Sequence, residues 1–150
     1  MNNATIEEYR EAYKHSNKII SSMAKCCELS DTEYWAMELL REGATTQQEI
    51  CEQLFLSKQT VNSAFKQLVK KGFVKLEPME SNLRKKKITF TEKGTEFAEK
   101  YIDPMIELEE QAWYKLSEEE RKLLILLTKK YSAITEKALE EYKKIRKGDR

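Results

Sequence analysis

Side chains suited to nucleic-acid chemistry are concentrated on one predicted helix between Ser57 and Gly72. Its polar face presents, at helical spacing, Lys58, Gln59, Asn62, Ser63 and Lys66. Asparagine and glutamine can hydrogen-bond adenine through two atoms, and lysine can reach guanine acceptors in the major groove. No acidic residue occurs from Ser57 to Lys75, which suits contact with a polyanion. We therefore predict that this face reads the base edges of duplex DNA.

A run of four basic residues follows at Arg84, Lys85, Lys86 and Lys87. We expect the arginine to enter a minor groove, where narrow A·T-rich sequence concentrates negative potential, and the lysines to neutralise phosphates. Between Ser57 and Lys93, ten lysines or arginines stand against three acidic residues, although the whole chain has a net charge of only +1. This basic centre favours DNA binding over the alternative, a solvated lysine-rich loop.

Capping signals define the helices that must position these groups. Ser57 can cap the basic helix, and Gly72 can end it in the left-handed conformation. Upstream, Thr46 and Glu49 predict a capping box that opens another short helix. Two short helices joined by a tight turn make a helix-turn-helix. Phosphate contacts are predicted in this motif for Thr46, Gln47, Ser57 and Thr60.

A β-hairpin is predicted directly after the helix-turn-helix. Residues 72–77 and residues 84–90 have strand-like patterns, and residues 78–83 are turn-like. The basic run would then lie at or beside the hairpin tip. The sequence therefore predicts a mostly α-helical fold with a small β-hairpin wing, that is, a winged helix-turn-helix.

Three segments of this region resemble the MarR family of bacterial transcriptional regulators. They read LSKQTV over residues 56–61, LVKKGFV over residues 68–74 and ITFTEKG over residues 88–94. The chain departs from the family pattern in the wing, where Asn82 replaces the usual aspartate two residues before Arg84. We include Asn82 among the predicted DNA-binding residues.

The resemblance covers roughly the whole chain and implies one MarR-type domain over residues 1–150. Its implied parts are dimerisation helices at residues 1–29 and 118–150, a winged helix-turn-helix at 30–94 and a connecting helix at 91–116. The implied function is a sequence-specific transcription regulator. Its common form in the family is a homodimeric repressor that binds a palindromic promoter operator and is released by a small ligand.

Family members often hold an aromatic or phenolic effector between the dimer helices and the winged domain. By this resemblance, the residues expected to line such a cleft are Tyr9, Tyr13, Trp35 and Trp113. Aromatic residues at helical spacing also form ordinary core, which is the alternative for these four. Two other functions remain open: a redox-sensing regulator or activator of the same family, and a winged-helix module for protein–protein contacts.

The two terminal helices carry apolar seams that one small winged domain cannot cover. The predicted dimerisation residues are Ile6, Tyr9, Tyr13 and Ile20 in the first helix, and Leu124, Leu127, Tyr131, Ile134 and Ala138 in the last. Burial of apolar area stabilises by about 25 cal/mol per Å², so we predict that a two-fold dimer covers both seams. The alternative is packing of the first helix against the last within one chain.

Further local signals refine the predicted helices. Capping boxes are predicted at Ser30 with Glu33 and at Ser117 with Glu120. Pro104 should kink or restart the helix in which it lies. The side chains expected to face inward from the helix after Ser30 are Trp35 and Leu39, with Met37 or Leu40.

The sequence offers little support for catalytic, metal or redox chemistry. The single histidine, His15, lies too far from Cys26 along one helix to share a metal with it. No nucleophile–base set can be assembled, so we predict neither an enzyme nor a metal nor a cofactor. Cys26 is the redox candidate, because the neighbouring Lys25 favours its thiolate. Cys27 and Cys51 are expected to be small buried hydrophobic residues.

Composition predicts a soluble protein located in the cytoplasm. Charged residues make up 35% of the chain, and the mean hydropathy is −0.72. The longest apolar run, residues 123–127, is far too short to cross a bilayer. The polar start of the sequence shows no secretory signal.

Overall fold

The elements of the fold are known from a computed structural model that describes residues 4–148, with Leu83 described by its backbone alone. They are α1 (Ile6–Cys26), α2 (Asp31–Arg41), α3 (Gln47–Leu54), α4 (Lys58–Lys70), β1 (Val74–Met79), β2 (Asn82–Phe90), α5 (Glu92–Phe97), α6 (Asp103–Trp113) and α7 (Glu118–Gly148). The strands pair antiparallel in a two-stranded sheet. The predicted fold class, mostly helical with a β-hairpin wing, is confirmed. The chain divides into two compact units, the first ending at Glu107 and the second beginning at Leu108.

Two of the predicted capping boxes are present. The Glu33 amide donates to Ser30 Oγ at 3.2 Å, and the Ser30 amide donates to Glu33 Oε2 at 2.8 Å. Ser117 and Glu120 exchange the same pair of hydrogen bonds at the start of α7. Because each box satisfies amides that the first helical turn leaves unpaired, these positions define where α2 and α7 begin.

Only one of the two hydrogen bonds of the capping box predicted at Thr46 forms. The Glu49 amide does donate to Thr46 Oγ1, at 3.2 Å, but the Glu49 carboxylate accepts from the Thr45 amide at 2.8 Å. The chain before α3 is extended and pairs with β2: Thr46 forms a bridge with Lys87, and Ile88 donates to the Thr45 carbonyl at 2.8 Å. This pairing ties the wing to α3, and the sequence pattern gave no sign of it.

The core of the first unit joins α2, α3, α4 and the segment after α5. Its largest fully buried side chains are Tyr34, Met37, Ile50, Val61, Phe65, Leu68 and Ile102. Met37 and Leu40 are buried as predicted, whereas Trp35 and Leu39 only border the core. Apolar spacing leaves the rotation of a short helix uncertain by about one residue, and in the folded chain Tyr34, not Trp35, is fully buried.

Three positions show close or left-handed backbone geometry that bears on the wing and the helix-turn-helix. A Cβ on Gly94 would lie 1.8 Å from the Phe73 carbonyl oxygen, so α5 approaches the base of the wing as only glycine allows. Phe55, between α3 and α4, has a φ of 53° although it is not glycine, and its side chain is 94% exposed. Gly72 ends α4 with a φ of 79°, as predicted.

Where a kink or restart is predicted at Pro104, the chain stays helical from Glu92 to Trp113 and widens into a π-helical turn. A π-helical turn, Ala98–Ile102, precedes α6, and the Asp103 amide donates to the carbonyl five residues back at Ala98. The wider turn accommodates a proline, which cannot donate to the ladder and crowds the carbonyl four residues before it. Next to Pro104, Asp103 forms an ion pair with Arg41 through both carboxylate oxygens, with one hydrogen bond of 2.8 Å.

The second unit consists mainly of α7. None of the residues of α7 is buried, and residues 123–127 are between 45% and 61% exposed although all five are apolar. Within residues 4–148, no helix has both the length and the apolar character needed to cross a bilayer.

Candidate nucleic-acid interface

The helix α4 separates its apolar and polar residues cleanly. Its buried stripe is Val61, Ala64, Phe65 and Leu68. The side chains predicted to read bases, Lys58, Gln59, Asn62, Ser63 and Lys66, are all exposed. Burial of the stripe against the first unit therefore fixes which face of α4 looks outward.

A groove of about 640 Å³ lies on one side of this outward face, between α4, α3 and the wing. We call it the wing groove. Its lining comprises Thr46, Gln47, Gln48, Cys51, Glu52, Lys58, Asn62, Lys66, Leu76, Arg84, Lys85 and Lys86. The fold thus brings the helix predicted to contact bases and the predicted basic strand to one concave surface. This surface is lined by five cationic side chains and one carboxylate.

A second cleft, of about 480 Å³, lies on the opposite side of α4. We call it the α2 cleft, because the start of α2 forms its far wall. Its lining comprises Ser30, Thr32, Glu33, Gln59, Thr60, Ser63, Ala64 and Gln67. Gln59, Asn62, Ser63 and Lys66 therefore form a ridge with a hollow on each side, which suits insertion into a groove of a duplex.

Hydroxyl groups in the first half of α4 already form hydrogen bonds within the helix. Ser63 Oγ donates to the Gln59 carbonyl at 2.9 Å, so its oxygen is left to accept. Ser57 Oγ caps α4 by accepting from the Thr60 amide at 3.1 Å, and the two hydroxyls lie 2.8 Å apart. Ser57 and Thr60 are both exposed at this end of the helix. Their position is compatible with the predicted phosphate contacts.

The wing is longer than the sequence predicted. The strands extend to Met79 and from Asn82, so the tip is residues 80–81 and the basic run lies along β2. Pro78 is tolerated in β1 because the strand has a partner on one side only and its register shifts beside the proline. Asn82 Oδ1 accepts from the Arg84 amide at 3.0 Å. The amide oxygen therefore braces the backbone ahead of Arg84.

A cluster at the far end of α4 was not found by sequence reasoning. Glu33, 5% exposed, accepts from Lys71 Nζ at 2.8 Å. Burial by itself raises the pKa of Glu33, but hydrogen bonds from Lys71 and Ser30 outweigh it and lower the pKa from its usual value of 4.5. The capping box was recognisable in the sequence. The partner of the other Glu33 oxygen, Lys71, lies 38 residues away, and no local pattern predicts it.

The three cysteines differ in exposure, and the predicted burial is confirmed for Cys27 but not for Cys51. Cys26 is exposed and Cys27 is buried, whereas Cys51 is half-buried in the wing groove. Burial, with the neighbouring Cys26, raises the pKa of the Cys27 thiol. Its Sγ lies 3.4 Å from the Tyr101 carbonyl, to which it donates. No group of three or more metal-ligating side chains occurs in the part of the chain that the structure describes, residues 4–148.

The aromatic residues expected at an effector site are not gathered in either hollow beside α4. Tyr9 and Tyr13 stack on α1 with ring centroids 6.1 Å apart, and both are exposed. Trp35 borders the core, and Trp113 in the second unit is half-buried. Neither the wing groove nor the α2 cleft is lined by any of the four, so the effector site stays a prediction.

The predicted dimerisation residues lie mainly on open surface. In α1, Ile6, Tyr9 and Tyr13 are exposed and Ile20 is half-buried. In α7, the exposed members of the seam are Leu124, Leu127, Tyr131, Ile134 and Ala138. Each helix therefore presents apolar area that a partner could cover.

Comparisons with known proteins agree with this geometry. A sequence profile of the MarR family matches residues 28–84. A MarR family regulator from Neisseria meningitidis has a TM-score of 0.78 at 20% identity, covering 93% of this chain and 99% of that one. MepR from S. aureus, solved as a DNA complex, has a TM-score of 0.68 at 21% identity, covering 88% and 99%.

A third similar structure is a MarR/EmrR family transcriptional regulator from Acinetobacter sp. ADP1. Its TM-score is 0.69 at 24% identity, with 89% of this chain and 99% of that chain covered. No protein of curated function matches this sequence.

Proposed function

We propose that this chain is a transcriptional regulator of the MarR family, whose profile matches residues 28–84, and that it binds duplex DNA sequence-specifically through α4 and the wing. The observation that carries the proposal is the ridge on α4 with the basic wing groove beside it. A surface of this kind combines hydrogen-bonding side chains for base edges with cations for phosphates. The proposed role is regulatory and not enzymatic.

The ridge would enter a major groove. Asn62 and Gln59 can each hydrogen-bond adenine through two atoms, and Lys66 can reach the acceptors of guanine. Because the Ser63 hydroxyl hydrogen is used within α4, Ser63 would accept from a base amino group. The base-contact set is therefore able to recognise both adenine and guanine edges.

The wing would lie over the adjacent minor groove. Arg84, whose amide donates to Asn82 Oδ1, would insert there. Lys85, Lys86 and Lys87 would neutralise the flanking phosphates, and the exposed hydroxyls at the start of α4 would hydrogen-bond to phosphate oxygens. These contacts fix orientation and supply affinity, but they carry little sequence information.

We propose further that the active form is a homodimer that represses transcription by covering a palindromic operator. The exposed seams of α1 and α7 support self-association, and two copies related by a two-fold axis would meet two half-sites about one helical turn apart. Release by a small aromatic ligand follows from the family resemblance alone.

The experiment that tests DNA recognition is selection from random duplexes at physiological salt, followed by sequencing of the bound fraction. We expect enrichment of an inverted repeat with half-sites about one helical turn, roughly 10 base pairs, apart. Binding without enrichment that disappears as salt rises would reject sequence-specific recognition. Weak binding that does not respond to salt would instead favour the protein–protein interaction module.

Selection repeated after mild oxidation of the thiols distinguishes a redox-sensing regulator from a regulator that does not respond to oxidation. Cys26 is the exposed cysteine on α1, so oxidation should alter the enriched repeat's affinity only if a thiol takes part in regulation. The same comparison with Cys26→Ser serves as the control, since this variant retains the size of the side chain without the reactive sulfur.

A further inference from the structure

One buried carboxylate connects the start of α2 with the end of α4. Both oxygens of Glu33 have a partner: Oε2 accepts from the Ser30 amide, and Oε1 accepts from Lys71 Nζ, each at 2.8 Å. The cap of α2 therefore fixes the carboxylate, and the carboxylate holds the residue that follows α4. The Glu33 side chain is only 6% exposed, against 35% for Lys71.

The same end of α4 is joined to the base of the wing. The Lys71 carbonyl accepts from Lys93 Nζ at 2.8 Å. Thr91 donates through its hydroxyl to the Gly72 carbonyl and through its amide to the Phe73 carbonyl, the latter at 3.0 Å. A few hydrogen bonds thus set both where α4 ends and where β1 begins.

Apolar packing fixes which face of α4 is buried, but it restricts small rolls and shifts of the helix less strictly than directional bonds do. The helix packs against α2, and hydrophobic burial has no preferred direction, so the contact tolerates small adjustments of α4. A charge-assisted hydrogen bond is short and directional. The ion pair of Glu33 with Lys71 therefore restricts the small movements that the stripe permits.

We propose that Glu33 and Lys71 are positioning residues for base reading. Their ion pair sets α4 against α2 and so places Gln59 and Asn62 at the height and angle that base contact requires. Neither residue belongs to the predicted DNA-binding set, and neither needs to touch DNA. The inference rests on the proposed DNA-binding function and deepens it.

Two variants test the inference. The measured quantity is the ratio of the affinity for the duplex enriched by selection to the affinity for random duplex. Glu33→Gln keeps an oxygen for the α2 cap but loses the charge, and Lys71→Met keeps the stem but loses the ion pair. We expect each to lower the ratio of the two affinities by about tenfold, with affinity for random duplex unchanged within about twofold. Lys71→Arg retains the ion pair and should keep the wild-type ratio.

The sign of the Glu33→Gln effect separates positioning from simple electrostatics. Removal of a negative charge near DNA should strengthen binding to every duplex if charge alone matters. A positioning role instead weakens the selected duplex only. Asp103→Asn is the matched control, because its ion pair with Arg41 also holds α2 but does not touch α4. A wild-type ratio in both Glu33→Gln and Lys71→Met would overturn the proposal.

Failure of the proposed function is distinguishable from failure of this inference. If the wild-type chain prefers no duplex, DNA recognition itself is rejected. Amide hydrogen exchange without DNA then decides the positioning role. Loss of the ion pair in Lys71→Met should speed exchange in Lys58–Lys70 by about tenfold while Ile6–Cys26 is unchanged. Unchanged exchange in α4 would reject the positioning role as well.

Discussion

Asn62 and Lys86 line the same groove but contribute different chemistry to it. Asn62→Ala should cost about 1–3 kcal/mol on the selected duplex and relax the preference at one base pair. Lys86→Ala should weaken all duplexes alike and lower the salt slope of log K by about 1, because it removes a phosphate contact. Fluorescence anisotropy over a salt series measures both quantities.

Gln53→Ala is the control for this pair of variants. Gln53 is exposed on α3 and lines neither the wing groove nor the α2 cleft, so its removal should leave both duplex preference and salt slope unchanged. If Asn62→Ala weakened selected and random duplex equally, Asn62 would be a positioning or phosphate contact and not a reader of bases.

Gly94 offers a second prediction at the scale of single residues. A methyl group there meets the Phe73 carbonyl oxygen at 1.8 Å, and backbone on both sides must shift to admit it. Gly94→Ala should lower the free energy of unfolding by about 1–3 kcal/mol or more. Gly148→Ala, which meets nothing within 4 Å, should change it by less than about 0.5 kcal/mol. Chemical denaturation of both variants compares the two costs.

At the scale of elements, the junction of α2 with α4 should be sensitive to acid. The folded pKa of Glu33 is lowered from 4.5, so its contribution to stability is complete above that value and is lost as pH falls through the folded pKa. Glu33→Gln should cost about 1–3 kcal/mol at pH 7. The difference from wild type should shrink steadily below pH 4.5 in urea unfolding experiments.

The control for this titration is another glutamate that has a lysine partner. Glu77 lies 4.0 Å from Lys75 on β1, and both side chains are more than half exposed. Glu77→Gln should therefore change stability by less than about 0.5 kcal/mol at any of these pH values. A pH-independent difference between Glu33→Gln and wild type would mean that the cap, and not the charge, is what matters at Glu33.

Local signals in the sequence predicted most of the elements but not their junctions. Ser30, Ser57 and Gly72 act through atoms within a few residues, so their patterns are readable. The partner of Lys71 is Glu33, far away in the chain, and nothing local distinguishes this lysine from its neighbours. The shift of the Glu49 carboxylate to Thr45 has the same origin, because pairing with β2 decides which amide is free.

The candidate site was predictable to the same extent. Asn62 and Lys66 follow from helical spacing, and Arg84 from its basic neighbours. The wing groove that unites them depends on the angle between α4 and β2, which long-range packing determines. The hydrogen bond between Asn82 and the Arg84 amide likewise depends on where the hairpin turns. The turn occupies residues 80–81 only, whereas the sequence indicated residues 78–83.

At the scale of the whole molecule, the exposed apolar surface of α7 predicts self-association. Sedimentation at micromolar concentration should give the mass of two chains. Leu127→Asp should shift the equilibrium towards one chain by a factor of about ten or more, because a charge would lie in the apolar seam. Lys129→Asp, on the opposite side of α7, changes charge without removing apolar surface and should leave the mass unchanged. A single-chain mass for the wild type would contradict the proposed dimer.

Because α7 has no buried residue, a dimer that covered it would link the amount of the protein to its activity. If a second copy covers this helix, the order of α7 comes from association, and mass action governs it. While most chains are single, the number of paired molecules grows with the square of the total. Occupancy of an operator would then rise more steeply than in proportion to synthesis, so a modest change in gene dosage would act as a sharper control on the target promoter.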